Sequence, residues 1–506
     1  MPSFFLFIFR KSDAFSENRF EFREVRCEGV SAELSISGGR DGGARKMNEG
    51  YKVYSGLSAA QRESRLLRSG IEATLSSAKQ ILSRKKGTKT SIQTQRNQTS
   101  DERTRLADTY GAPSFEKAHK QCYNILVYNL NVLQITPLGA GLGMRAALDV
   151  FSGALNEDRL DNSESMSSAS GEWRGVMKLL QRIAVRTLYS LGLDSGEVLL
   201  RAMGNRRYVV ERVTPLLQSS GKSLPEPYRS AALALERNLA LEQPGRSGLL
   251  MGMDPEFIIL RESTGRVVPA SRYLPTDGVA GCDAGPPGTR GVFPVAELRP
   301  QPRGEPRALL AQLLSAAATA DRLIADRTLR WRAGGMPLTG WALGGHLHFS
   351  GVTLTAPLLR ALDNYLALPM LLLEDVRAGA RRPRYGVLGD FRTQPHGGFE
   401  YRTLPSFLVS PVIAKGAVYL AHLIVSHYED LTLRPLDRED LHIAYYCGDK
   451  SPLRDAVPPL LAQLRALGGY EMAAQHIEPL FQYIAAERTW DESRDIRELW
   501  CSKVKG

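Results

Sequence analysis

The sequence predicts an α+β protein. Beyond about residue 245, short segments with polar residues at period two alternate with long Leu/Ala-rich stretches, which is a strand-and-helix pattern. Nearer the N-terminus, GEVLLRAM and RRYVVERV flank Gly204-Asn205, which reads as a hairpin. Composition supplies the core: 43% of the 506 residues are hydrophobic and 24% charged. The length suits about two to four domains.

Residues 1–115 are read as a poorly ordered basic extension. The stretch SRKKGTKTSIQTQRNQTSDERTR has almost no large apolar residues to offset its ordering entropy. Net charge is +11, and residues 1–120 carry 22 Lys or Arg against 14 Asp or Glu. Such an excess can meet nucleic acid or anionic lipid, but the charges are mixed in sign and lack interleaved aromatics, so nucleic acid is an unlikely partner. The opening FFLFIF is too short to span a bilayer, and it is followed, not preceded, by Arg10 and Lys11. Five scattered cysteines with no CxxC pair argue against a disulfide framework and a zinc finger. A cytoplasmic protein without a membrane span is expected.

The elements follow in order. NILVYNLNVL, from Asn124, reads as a strand, and DNSESMSSASGE as a Ser-rich linker. A helix is expected around 172–192, where Val176, Leu179, Leu180, Ile183 and Leu188 fall at helical spacing. Together with the hairpin these make residues 116–220 a small α+β domain. PEPYRSAALALERNLALE is a helix with Pro225 and Pro227 near its start. GMDPEFIIL, VFPVAELRP, ALGGHLHFSG and FEYRTLP read as strands, and 305–325, 355–377 and 410–428 as helices. The chemistry-bearing domain is set at 221–450. Residues 451–506 form a mostly helical segment packed on it.

Four of these strands carry paired polar side chains two residues apart, so each pair projects from one face. The pairs are Asp254 with Glu256, Glu297 with Arg299, His346 with His348, and Glu400 with Arg402. One alternating pair is ordinary for a half-wet strand. Four pairs are a different matter, because gathered carboxylates are costly unless a cation joins them. Oxygen donors with few nitrogens suit Mg²⁺ or Mn²⁺. Arginines beside them suit phosphate, since the guanidinium fork matches its oxygens. The loop ARRPRYGVLGDFRTQ adds Arg381, Arg382, Arg384 and Arg392, with Asp390, and could close over a triphosphate. No GxxxxGK[ST] and no GxGxxG after a strand occur. Cys447 has only His442 near it in sequence and reads as a buried cysteine. Trp490 and Trp500 read as helix packing, and His396 as a loop residue.

The order G-x-D-P-E-F, E-L-R-P, G-G-H-x-H-F, R-R-x-x-Y-G-x-x-G-D-F-R and E-Y-R-T-L-P-S resembles the phage-type COOH–NH2 ligases of type 2, similar to the glutamine synthetase and glutamate–cysteine ligase superfamily. The likeness spans roughly 245–430. It implies an antiparallel sheet curved into a funnel-shaped active site with helices on its outer face, binding ATP with Mg²⁺ or Mn²⁺. By this likeness Glu256, Glu297 and Glu400 match metal-binding acids, with Asp254 beside them. His346 and His348 match contacts to metal or to the ATP phosphates. Arg402 matches the arginine on the transferred phosphate, and Arg299, Arg384 and Arg392 match phosphate or substrate contacts. Asp254-Pro255-Glu256 departs from the superfamily's Glu-x-Glu.

The expected activity is ATP-dependent carboxylate–amine ligation through an acyl phosphate. Its partners are a small-molecule or peptide carboxylate and an amine, and a homo-oligomer is possible. Glycines 344 and 345 are expected to let nucleotide approach the backbone. Asp390 is a weak candidate for the amine's base, since its expected role is to order the arginine loop by ion pairing. Two alternatives remain at this level. One is a zinc-type hydrolase using the HxH pair. The other is a nucleic-acid or scaffold protein acting through the basic N-terminus.

Overall fold

Two antiparallel sheets organise the protein in the computed structural model, which describes residues 48–75, 121–138, 169–217, 223–242, 244–395 and 397–501. The smaller sheet runs β2-β1-β3-β4, formed by β1 (Cys122–Tyr128), β2 (Asn131–Leu138), β3 (Gly196–Ala202) and β4 (Tyr208–Pro215). NILVYNLNVL is therefore two strands. It reverses at Asn129 and Leu130, whose φ values of 41° and 67° are positive. The expected Gly204-Asn205 hairpin is present between β3 and β4. Helices Ala59–Arg68 and Ala169–Ser190 contribute Leu66, Leu180, Ala184 and Leu188 to a core with Ile125, Val127, Val198 and Leu200.

Order in the N-terminal region extends further than its composition suggests. Residues 48–75 are packed and hold two helices, Tyr51–Gly56 and Ala59–Arg68; Ser58 caps the second with a reciprocal bond to Gln61, and Leu66 enters the core. Arg65 reaches across to Glu439 at 3.0 Å. The polar stretch 83–105 lies outside the described residues.

The larger sheet runs β11-β12-β10-β5-β8-β7 and is open, not closed. Its members are β5 (Leu250–Arg261), β7 (Ala280–Asp283), β8 (Val295–Leu298), β10 (Gly345–Ser350), β11 (Phe391–Thr393) and β12 (Phe399–Tyr401). β6 (Arg266–Val268) and β9 (Leu329–Arg332) pair with the far end of β5. Both small and large sheets belong to one unit, 47–506.

Alternation along β5 divides the large sheet into two faces. Met251, Met253, Phe257 and Ile259 enter the main core with Leu347, Phe349, Phe399 and Tyr401. Helices Pro306–Leu323 and Pro411–His427 contribute to that same core, as does the helical stretch from Ala356 to Leu373. The last is apolar and long enough to cross a membrane, yet 94% of it is buried in the protein. The C-terminal segment packs on this layer, with Leu480 against Gly416 and the Trp500 indole N–H donating to Leu408 O. The opposite face of β5 presents Leu250, Gly252, Asp254, Glu256, Ile258 and Leu260 in that order. Ile258 and Leu260 close one end of this face in a small apolar cluster with Val295 and Leu343.

Candidate active site

Strand register sets the polar side chains on one face. In antiparallel pairs, residues directly opposite each other point the same way. His346 lies opposite Asp254 and His348 opposite Gly252. Glu400 lies opposite His348, and Arg392 opposite Glu400. On the other side of β5, Glu297 lies opposite Glu256, and Gly281 opposite Glu297. The period-two reading thus brings all four acids and both histidines onto one surface.

The centre is dense. His346 Nδ1 lies 3.0 Å from Asp254 Oδ1 and 3.2 Å from Glu400 Oε1. His348 Nε2 lies 3.0 Å from Asp254 Oδ2. Glu400 is 0% exposed. It accepts from Arg392 Nε at 2.6 Å and Gln394 Nε2 at 3.2 Å, and it pairs with Arg402. Glu256 accepts from the Gly344 N–H at 2.8 Å. Arg299 pairs with Glu297, and its Nη1 donates to Thr276 O at 2.9 Å.

Electrostatics separate the acids. Burial would raise the Asp254 carboxyl, but the imidazoles of His346 and His348 outweigh it and hold Asp254 well below the usual range. Burial raises Glu297, as does the charge of Asp254, while Arg299 opposes them. Burial also raises Glu256. Burial alone would lower His346, but Asp254 and then Glu256 bring it above the ordinary imidazole value.

A divalent cation fits this donor set. Donor atoms of Asp254, His348 and Glu400 lie within 4.8 Å of one another. Asp254 Oδ1 and His348 Nε2 are buried without an aligned hydrogen-bond partner. Two carboxylates and one imidazole are acceptable ligands for Mg²⁺ or Mn²⁺. Glu256 and Glu297 stand outside this trio, toward the apolar end of the face.

Several expectations need correction. Arg381 is not on the site face. It is 2% exposed, and its guanidinium donates to Thr403 O and Leu404 O at 3.1 Å each. It satisfies Thr403 O just past β12 and is a second donor to Leu404 O, which also accepts from Gly345 N at 3.1 Å. Arg382 is likewise internal, paired with Glu374 at 2.8 Å. Arg384 is exposed, and its nearest aromatic partner is Tyr385, at 5.6 Å. Asp390 pairs with Arg186 of the small-sheet helix at 2.9 Å, not with the arginine loop. Glycines 344 and 345 make room for protein, not nucleotide. A Cβ on Gly344 would fall 2.3 Å from His346 Nε2, and one on Gly345 would fall 2.5 Å from Pro405 O. Cys447 is exposed rather than buried, whereas His442 is internal against Tyr446. His396 lies outside the described residues.

Structure also adds residues that the sequence reading missed. Gln394 shares Arg392's face at period two, a signal that was available. Gly281 was not foreseeable, since its role is to let the Arg299 guanidinium lie 2.1 Å from where a Cβ would be. Asp363 is buried in a widened turn of the Ala356–Leu373 stretch. It accepts from Tyr401 Oη and Tyr189 Oη at 2.7 Å each and from Gly389 N at 3.1 Å. It thereby ties β12, the arginine loop and the small-sheet helix together.

Residues 251–501 match the family model described as phage phiEco32-like COOH.NH2 ligase-type 2. No curated protein matches the chain significantly. Among solved structures, a bifunctional glutathione synthetase from Pasteurella multocida is similar at 12% identity and TM-score 0.31, over 52% of this chain and 50% of that one. The chain thus spans half the length of that enzyme. A GmaS/ADP complex is similar at 14% identity and TM-score 0.25, over 74% and 94% of the two chains. A glutamine synthase homolog is similar at 15% identity and TM-score 0.22, over 55% and 79%. The stretch matched by the family model, about half of the chain, holds the whole cluster from Asp254 to Arg402, and this region belongs to the COOH.NH2 ligase-type 2 family.

Proposed function

We propose that the protein joins a carboxylate to an amine at the expense of ATP, through an acyl phosphate. The observation that carries this is the shared face on which Asp254, His348 and Glu400 converge while Arg392 and Arg402 both engage Glu400. In this reading the substrate carboxylate oxygen attacks the γ-phosphorus of ATP and ADP departs. The amine nitrogen then attacks the acyl carbon and phosphate departs. The protein's part is positioning and charge stabilisation.

Asp254, His348 and Glu400 would hold Mg²⁺ or Mn²⁺, with Glu256 and Glu297 as further acids. A bound divalent ion supplies charge neutralisation and orientation of the triphosphate. Arg402 and Arg392 are held beside the cluster by Glu400, ready to exchange that partner for phosphoryl oxygens. Arg299, tied to Glu297 and to Thr276 O, holds Glu297 in place across the face. The funnel shape, a cytoplasmic setting and a possible homo-oligomer accompany this reading as expectations.

The test is ADP release with Mg²⁺ over pooled carboxylates and amines, followed by the mass of the condensed product. Arg402→Ala should slow the reaction about a hundredfold, roughly 3 kcal/mol of barrier. Unchanged turnover would remove Arg402 from the mechanism. Tightly held zinc with indifference to ATP would favour a hydrolase instead. A role through the basic N-terminus is tested by replacing Arg84, Lys85, Lys86, Lys89 and Arg96 with glutamine, because residues 1–47 carry 8 Lys or Arg against 7 Asp or Glu and hold little of the excess. Deleting residues 1–115 would also remove the packed helices and the Arg65–Glu439 pair.

A further inference from the structure

The ligase reading says nothing of the acid beyond its reacting carboxyl. A groove beside the cluster addresses that, and its assignment rests on the ligase reading. We infer that this groove, a cavity of about 210 Å³, holds the body of the carboxylate substrate. At roughly 30 Å³ for a water-sized group, the body would have about six or seven non-hydrogen atoms. We further infer that this body is uncharged and mainly apolar.

Position is the first argument. On the site face of β5 the acids Asp254 and Glu256 have unlike neighbours. Toward Ile258 the face is sealed by the apolar cluster with Val295 and Leu343. Toward Leu250 it is open, and the groove lies there, reaching Asp254 and His348 at its inner end. A substrate therefore reaches the cluster from the Leu250 side.

Gly252 is the floor. It stands directly opposite His348, where every other site-face position of β5 carries a side chain. A Cβ at Gly252 would meet Pro302 Cγ at 3.4 Å and His348 Cβ at 3.5 Å, ordinary contact distances. A methyl fits, and larger side chains project into the groove. The missing side chain is what leaves the space.

Lining chemistry sets the ligand class. Pro300 and Pro302 are apolar, Ser350 adds one hydroxyl opposite Leu250, and Leu250 at the rim is 46% exposed. Such a solvent-facing leucine gains by being covered. Arg299 is the sole guanidinium or ammonium among the lining residues, and it is already paired with Glu297 and bonded to Thr276 O. The lining thus offers no spare guanidinium or ammonium for a second anionic group along the body, whereas a divalent ion at the inner end would attract the reacting carboxylate. The acid would lie with its carboxylate toward Asp254 and His348 and its body against Pro302 and Leu250.

The experiment uses hydroxylamine as the amine, with ATP, Mg²⁺ and a graded panel of acetate, butyrate, hexanoate, octanoate and adipate. Carboxylate oxygen takes the γ-phosphoryl group and ADP leaves. Hydroxylamine nitrogen then displaces phosphate, loses a proton to solvent and leaves a measurable hydroxamate. Wild type should favour hexanoate and octanoate, with adipate at least tenfold poorer. Gly252→Leu should shift the optimum to acetate, and Gly252→Ala should fall between. A shifted optimum cannot come from partial unfolding, which lowers all acids alike. Hydroxamate formed with adipate preferred, or with the same length order in Gly252→Leu, would overturn the subsite and leave the ligase reading standing. No hydroxamate from any acid with wild type would overturn the ligase reading and the subsite together.

Discussion

Replacing Gly344 by alanine asks whether the His346 ring is held where the site needs it. The new Cβ would sit 2.3 Å from Nε2, 2.9 Å from Cε1 and 3.0 Å from Cδ2 of that ring. Ordinary contact begins near 3.4 Å, so the overlap is about 1 Å. Gly344 does not use a positive φ, so alanine adds no backbone strain of its own. The ring is 8% exposed and cannot simply swing into water. Moving it by about 1 Å would break its approaches to Asp254 and Glu400, at 3.0 and 3.2 Å. Losing a group that orients metal-type ligands typically lowers metal affinity or activity about 10- to 100-fold. That is roughly 1.4–2.8 kcal/mol. The assay is Mg²⁺ titration of ADP release, with direct Mg²⁺ binding by calorimetry. His346→Ala supplies the control: if overlap is the cause, the double variant should be no worse than His346→Ala alone. Wild-type behaviour of Gly344→Ala, or additive losses in the double variant, would refute the reasoning.

Gly281→Ala should act on Arg299 in the same way, since its Cβ would fall 2.1 Å from Nη1. About a tenfold loss of kcat/KM is expected, with little further loss in the Gly281→Ala/Arg299→Ala double variant. Asp363 should make stability depend on pH, because burial pushes its carboxyl up to about 6 despite hydrogen bonds from Tyr189 and Tyr401. The folded state then holds this proton more tightly than the unfolded chain, so the group's contribution falls as pH rises from about 4 to about 6 and stays low above. About 3 kcal/mol is at stake, and urea unfolding at pH 4.5 and 7 should show a shallower slope in Asp363→Asn. An unchanged slope would remove Asp363 as the source. Glu492 accepts from Gly335 N, Met336 N and Trp490 Nε1 in a buried setting. Glu492→Ala should destabilise the protein by about 3 kcal/mol or more in urea unfolding, because those donors lose their acceptor.

Which residues share a face was legible because strand alternation is local. Asp254, Glu256, His346, His348, Glu297 and Glu400 could be paired within their own strands without any knowledge of the fold. The arginine loop was not legible. Arg381, Arg382, Arg384 and Arg392 look alike in sequence, yet only Arg392 reaches the cluster, through Glu400. Two of the others satisfy buried carbonyl or carboxylate groups, and the fourth faces solvent. A turn has no period from which to read direction. Residues 48–75 were misread for a related reason. Their polar composition hid Leu66 and Arg65, whose partners lie far along the chain.

The sequence by itself determined the alternation of strands and helices, the polar pairs at period two and the donor types that invite a divalent ion and phosphate. These depend on neighbours a few residues apart. Tertiary structure decided which strands lie side by side, which arginines are turned inward, and why Gly281 and Gly344 carry no side chain. Those outcomes depend on atoms brought together from distant parts of the chain, where one ångström of overlap separates a working neighbour from a clash.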